Sequence, residues 1–292
     1  MKKKSIKSRI LFLAIASVFV MTTLFTGCQR NKEKDSTTVS TSAPTTVFTQ
    51  TTGTVTVSGS TSVQPLAQNL AHIFTDKYTN INVDVQGGGS SNGVRAAIDG
   101  TSDIGMSSRN LKQEEKDSGV TEHVIALDGI AVIVNKASSV KSLTIDQVKK
   151  IYTGEIKNWK DVGGPDKQII VVSRESGSGT RGAFEEILGF KDLIADALIG
   201  NGTGAIKAHV VDKLNAIGYI SLGALDDSIA GVKINGANAT VDNIKAGTYP
   251  ISRPFIMITK GDLSDAVKAF FDFIMSDEGQ QIVTNDGFID VK

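Results

Sequence analysis

The feature that most constrains this 292-residue chain is a turn it uses three times. The segments "SGSTSVQP" (58–65), "GGGSSNGV" (87–94) and "ESGSGTRG" (175–182) are each dense in Gly, Ser and Thr. Each also lies between a β-rich run and a stretch with apolar residues at helical spacing. A helix start presents unpaired N–H groups and a partial positive charge, and glycine lets backbone approach a ligand closely. Ser and Thr at such turns also cap helices. Three turns of one build, at strand ends that α/β folds gather at a cleft, point to one shared anion site. Hydroxyls at Thr61, Ser62, Ser90, Ser178 and Thr180 supply side-chain donors.

From Gly53 onward the chain alternates strand and helix patterns, which predicts an α/β fold. "TVTVSGS" reads as a strand and "VQPLAQNLAHIFTDKY" as a helix with Leu66, Leu70, Ile73 and Phe74 on one face. "INVDVQ", "DIGMSS" and "QIIVVSRE" are further strands, and "NGVRAAIDG", "TIDQVKKIYTG" (from an N-cap at Thr144) and "RGAFEEIL" are helices. "VDKLNAIGYISLG" reads as a helix and then a strand, and "LSDAVKAFFDFIMSDEGQQIV" as closing helices. Two longer runs, "HVIALDGIAVIVNK" and "YPISRPFIMITK", suit strands that cross between halves. The expected organisation is a discontinuous domain, 54–131 plus 252–292, with 132–251 inserted as a second domain and the ligand cleft between them.

The first 27 residues read as a signal peptide. Met1 to Arg9 carries five basic and no acidic residues, an apolar stretch runs from Ile10 to about Phe25, and "LFTGC" ends at Cys28, the sole cysteine. Either Cys28 is the lipidated first residue of a mature lipoprotein or an ordinary cleaved signal precedes an incidental thiol. Residues 28–53 form a Ser/Thr-rich tether, with 11 Ser or Thr among the 17 residues from Ser36 to Thr52. The five basic leader residues hide an acidic mature chain: without them 26 Lys and Arg face 31 Asp and Glu. That balance argues against nucleic acid as a partner, so an anion must be held by local geometry.

Competing motifs are short. "GSSNG" (89–93) fits G-x-S-x-G with Ser91 as nucleophile. A serine hydrolase needs a positioned histidine, and of His72, His123 and His209 only the last lies downstream with acidic residues between. Gly177, Gly179 and Gly182 fit G-x-G-x-x-G, but "LIADALIGNGTG" offers no strand before the acid that fingerprint requires. Arg174 and Arg181 flank the same turn, and a guanidinium matches an oxyanion with paired donors. Arg174 can also pair with Glu175 or Glu155. Isolated histidines and one cysteine give no metal site, no cofactor is indicated, and Trp159 reads as core.

The runs "GSTSVQPL", "GGGSSNGV", "DIGMSSR", "IYTGEIKNWKDVGG", "SRESGSGTRGAFEE", "AIGYISLG" and "FIMSDEGQQIV" together resemble the phosphate-binding lipoproteins (PstS type) of bacterial phosphate ABC transporters. The resemblance covers nearly all of 54–292. It implies a two-domain, type II periplasmic-binding-protein fold, with mixed sheets flanked by helices and two crossing hinge strands. It also implies capture of inorganic phosphate, delivery to membrane permease subunits, no catalysis, and a lipid anchor at Cys28 on the outer face of the cytoplasmic membrane. By motif position it implies Thr61, Ser62, Ser90, Arg174, Ser178, Gly179 and Thr180 as phosphate ligands. Ser108 falls where the better-known branch has an aspartate that accepts the proton of hydrogen phosphate. Asp128, an acid in the apolar run "IALDGIAVIVN", is a candidate replacement acceptor, and a bond to hinge backbone is its alternative role. Sulfate, molybdate or another oxyanion is the alternative ligand.

Overall fold

The computed structural model describes residues 51–292. The signal peptide, Cys28 and the tether up to residue 50 lie outside the described residues. The chain runs β1 (Gly53–Gly59), α1 (Gln64–Lys77), β2 (Ile81–Gly87), α2 (Ser90–Asp99), β3 (Ile104–Ser107), α3 (Gln113–Lys116) and β4 (Val120–Asn135). It continues through β5 (Ser142–Leu143), α4 (Ile145–Thr153), β6 (Ile170–Arg174), α5 (Gly179–Leu188), β7 (Leu198–Gly200), α6 (Thr203–Asp212) and β8 (Ala216–Ser221). The last elements are β9 (Ile229–Gly231), β10 (Lys233–Ile234), α7 (Val241–Lys245), β11 (Ser252–Lys260), α8 (Asp265–Ile274) and α9 (Asp277–Asn285).

Nine strands join in the order β2-β1-β3-β11-β4-β8-β6-β7, with β9 also paired to β4. The two long strands, β4 and β11, are antiparallel neighbours in the middle. β1 pairs β2 and β3 in parallel, and β6 pairs β7 and β8 in parallel. Ile130 to Val134 of β4 are all fully buried, as expected for a strand covered on both faces. One apolar core gathers Val57, Leu66, Leu70, Phe74, Ile104, Phe255, Phe270 and Val283. A second gathers Ile130 of β4 with Val148, Tyr152, Trp159, Phe184, Ile217 and Tyr219 from the stretch between the long strands. Trp159 is therefore core, and its indole N–H donates to the Asn215 carbonyl at 3.0 Å.

Thr144 caps α4 by accepting from the Gln147 amide. Three expected helices are placed differently, α5 starting at Gly179, two residues ahead of "RGAFEEIL". α2 starts at Ser90, ahead of "NGVRAAIDG", because Gly89 takes φ 92° and ends the extended stretch early. α6 ends at Asp212, ahead of "KLN", and starts at Thr203 after Gly202 with φ 84°, so that Ile206 and Val210 face the core. The strand ahead of it, β7, is only three residues long, and this is why "ALIGNGTG" gave no periodic signal.

This topology sets four strand-to-helix turns at the carboxyl ends of parallel strands: β1 to α1, β2 to α2, β6 to α5 and β7 to α6. α2 reaches its place by backbone contact, since a Cβ on Gly93 would sit 2.6 Å from both the Gly59 Cα and the Ser58 carbonyl oxygen. Gly93→Ala is expected to lower stability by about 1–3 kcal/mol through this overpacking, measured by urea unfolding. Unchanged stability would show that α2 moves freely off β1.

Candidate anion-binding site

The four turns meet. From the first, Ser62 Oγ lies 2.9 Å from Thr180 Oγ1 and 3.2 Å from Thr203 Oγ1. Ser60 Oγ donates to Ser108 Oγ at 2.9 Å, and Ser108 Oγ lies 3.3 Å from Ser90 Oγ. The Ser108 amide donates to Ser90 Oγ at 3.1 Å. Ser60, Ser62, Ser90, Ser108, Ser178 and Thr180 are all buried. Only Ser178 caps its helix, by accepting from the Arg181 amide; α1, α2 and α6 have no side-chain cap bond at their starts. Ser60 Oγ also accepts from the Ser62 and Val63 amides at 3.2 and 3.4 Å, and Thr61 Oγ1 from the Thr203 amide at 3.3 Å, so these hydroxyls bond both one another and backbone at neighbouring helix starts. The first amides of α5, at Gly179 and Thr180, have no intrahelical acceptor.

Glycine is required where these turns touch. A Cβ on Gly179 would stand 2.3 Å from Ser90 Oγ and 2.8 Å from Ser108 Oγ. The Ser91 amide donates to the Gly177 carbonyl at 3.1 Å, which ties the second turn to the third through backbone.

Arg174, at the end of β6, is the cation of the cluster and is 2 % exposed. Its Nε and Nη2 donate to Glu175 at 2.8 and 2.7 Å, Nη2 donates to Thr61 Oγ1 at 3.0 Å, and Nη1 faces Thr180 and Thr203 Oγ1 at 3.4 Å each. Glu175 also accepts from the Gly202 amide at 3.1 Å. The guanidinium thus faces hydroxyls with the edge that its carboxylate leaves free. Burial opposes the Glu175 charge, yet the Arg174 hydrogen bonds and charge and the Gly202 amide outweigh it and hold its carboxyl below the ordinary value of 4.5.

Thr203 is the residue that sequence reasoning missed. Its turn, "GNGTG", has the same composition as the other three, and only the shortness of β7 concealed it. Arg181 lies beside the cluster but is held by Glu185 at 2.6 Å and by the Arg174 carbonyl at 3.1 Å. Arg109 forms a two-pronged pair with Glu115 at 2.7 Å per prong. Among the described residues no hydrogen bond joins Ser91 to a histidine, and His123 faces Thr259 at 3.0 Å. No group of three or more His, Cys, Asp or Glu among the described residues is placed to hold a metal ion.

Asp128 is 1 % exposed, and both of its carboxylate oxygens are engaged. Oδ1 accepts from Ser221 Oγ at 2.9 Å and the Leu222 amide at 3.2 Å, and Oδ2 accepts from Arg253 Nε and Nη2 at 3.1 and 2.8 Å. The carboxylate is committed to the Ser221 hydroxyl, the Leu222 amide and an arginine, which leaves a phosphate proton no free lone pair in this arrangement.

Residues 43–278 match the PBP superfamily domain. The phosphate-binding protein PstS of Bacillus subtilis is 34 % identical over 245 residues, covering 82 % of this chain and 81 % of its own length. The chain belongs to the PstS family of phosphate-binding proteins. Among solved PstS-like structures, a phosphate ABC transporter substrate-binding protein of Clostridium perfringens, crystallised with phosphate, is 48 % identical with a TM-score of 0.81. A phosphate transport receptor of Vibrio cholerae is 36 % identical with a TM-score of 0.70. In both cases the match covers 82 % of this chain and all of the other. The PstS fold is thus shared over 82 % of the chain, and these relatives are substrate-binding proteins. No helix among the described residues is long and apolar enough to cross a membrane.

The Arg174–Glu175 pair predicts a loss of stability in acid for this PstS member. A carboxyl held low in the folded state contributes stability above its unfolded value, and that contribution is lost as pH falls through the folded value. Wild type should therefore lose stability on acidification below about pH 4.5, and Glu175→Gln should lack that part of the loss while being less stable at neutral pH. Chemical unfolding across the acid range checks this, and parallel pH curves for the two proteins would contradict it.

Proposed function

We propose that the hydroxyl cluster and Arg174 capture inorganic phosphate, and that the protein hands it to the permease subunits of a phosphate ABC importer. The single observation that carries this is the meeting of four strand-to-helix turns, three of them against one buried arginine, with the Ser62 hydroxyl within 3.2 Å of those of Thr180 and Thr203 in a chain of PstS ancestry. The ligands proposed are Thr61, Ser62, Ser90, Ser108, Arg174, Ser178, Gly179 and Thr180, with Thr203 added. Each hydroxyl both donates and accepts, so Ser108 and its neighbours Ser60 and Ser90 can take the proton of hydrogen phosphate where a carboxylate does so elsewhere in the family. Fixed donors in a buried site replace water around the anion with little reorganisation, which is how a neutral cluster with one arginine holds a dianion.

The residues that bind come from both sides of β4 and β11. Capture by closure of 132–251 against 54–131 plus 252–292, with these two strands as hinge, is the accompanying motion. Cys28 is proposed as a lipid anchor on the outer face of the cytoplasmic membrane, with the Ser/Thr-rich segment as tether. No enzymatic step is proposed: the serine-hydrolase alternative lacks a histidine bonded to Ser91 among the described residues.

Calorimetric titration of protein stripped of anion should give one phosphate per chain, and Arg174→Met should weaken it by about 100-fold, the scale of a lost buried charge-assisted hydrogen bond to a dianion. Heat with sulfate and none with phosphate would overturn the assignment and favour another oxyanion. Turnover of a generic ester abolished by Ser91→Ala would favour the hydrolase.

A further inference from the structure

Of all buried side-chain nitrogen and oxygen atoms among the described residues, one has no hydrogen-bond partner: Nη1 of Arg253. Its side chain is 1 % exposed. An unmade donor of a buried guanidinium is costly, and in a native structure it calls for a reason. Arg253 belongs to β11 and pairs directly across from Asp128 on β4, so the two side chains share one face. Asp128 grips Nε and Nη2 with one oxygen, and its other oxygen is fixed by Ser221 and Leu222. The fork is thereby locked, and the Phe255 ring, 5.5 Å from Cζ, supports it on one side. Nη1 is the one prong left over.

The neighbours of Arg253 adjoin the anion site. Ser221, which holds Asp128, lines a groove of about 610 Å³ together with Thr61, Ser62 and Thr203. Arg174 acts on Arg253 as a repelling charge, Tyr219 lies between the same elements, and the Tyr219 hydroxyl accepts from the Arg174 amide at 3.3 Å. The charged and titratable groups that face Arg253 are thus Asp128 from β4, Arg174 from β6 and Tyr219 from β8, with Tyr249 facing Asp128. Two guanidinium groups, each matched by one carboxylate, leave this interior with no net charge until an anion arrives.

We propose that Arg253 is a second cationic ligand of the oxyanion: Nη1 donates to the bound anion, directly or through one water, and Asp128 is the positioning residue that aims it. This rests on the phosphate reading above and deepens it. Asp128 then acts as the anchor of a cation and not as a proton acceptor, and the site favours the dianion of phosphate over the monoanion.

Calorimetric affinity for phosphate from about pH 6 to about pH 8, where phosphate takes its second charge, tests this. Wild type should tighten with pH. Arg253→Gln should bind about tenfold more weakly or worse, with a flatter rise, because one charged contact and one cation are gone. Arg253→Lys keeps the charge and the pairing with Asp128 but loses the spare prong, so it should bind about tenfold more weakly with the wild-type slope, and it serves if the Gln variant does not fold. Either variant, cooperatively folded, binding within about twofold of wild type would overturn the proposal, as would a Gln variant weakened equally at every pH. Wild type that binds no phosphate at any pH would instead sink the phosphate reading itself.

Discussion

The site depends on a backbone approach that side chains would forbid. The third turn meets the second through the Ser91 amide and Gly177 carbonyl, and the space where a Gly179 side chain would stand is taken by the Ser90 and Ser108 hydroxyls. Because no bulk separates the turns, their hydroxyls come within hydrogen-bond distance, and one small ligand can touch all of them. The rest of the fold serves this approach. Parallel pairing of β1 with β2 sends two helix starts one way, parallel pairing of β6 with β7 sends two the opposite way, and the antiparallel pair β4–β11 joins the two sides, so the turns meet from opposite directions.

Two buried ion pairs keep this polar interior tolerable. Arg174 with Glu175 and Arg253 with Asp128 each place a guanidinium where water is excluded, and each gives it a carboxylate with further donors of its own. A buried pair of this kind is weak as a source of stability, but losing one partner strands the other charge. In both pairs the carboxylate takes Nε and Nη2, which fixes the direction of the remaining nitrogen. In the proposed reading the carboxylates orient both cations for a ligand.

Much of this was legible in the sequence for a definite reason. Thr61, Ser62, Ser90, Ser178 and Thr180 stand in turns flanked by strong periodic signals, so composition and position agree. Thr203 stands in a turn of the same composition, but its strand has three residues, too few for alternation to register. Arg253 was invisible in a different way. Its surroundings are set by Asp128, a partner 125 residues away in sequence, and by a pairing register that no local pattern encodes. Asp128 itself was noticed because an acid in an apolar run needs a purpose, yet whether it faces a ligand or an arginine is a property of its cross-strand neighbour.

The central claim is that four turns and a buried arginine form one oxyanion site. A crystal structure of the protein with phosphate tests it most directly. The account predicts a single phosphate enclosed by the hydroxyls of Ser62, Ser90, Ser108, Ser178, Thr180 and Thr203 and bonded to the Arg174 guanidinium. Phosphate bound elsewhere, with Arg174 still turned only to Glu175 and the hydroxyls bonded only to one another, would contradict it.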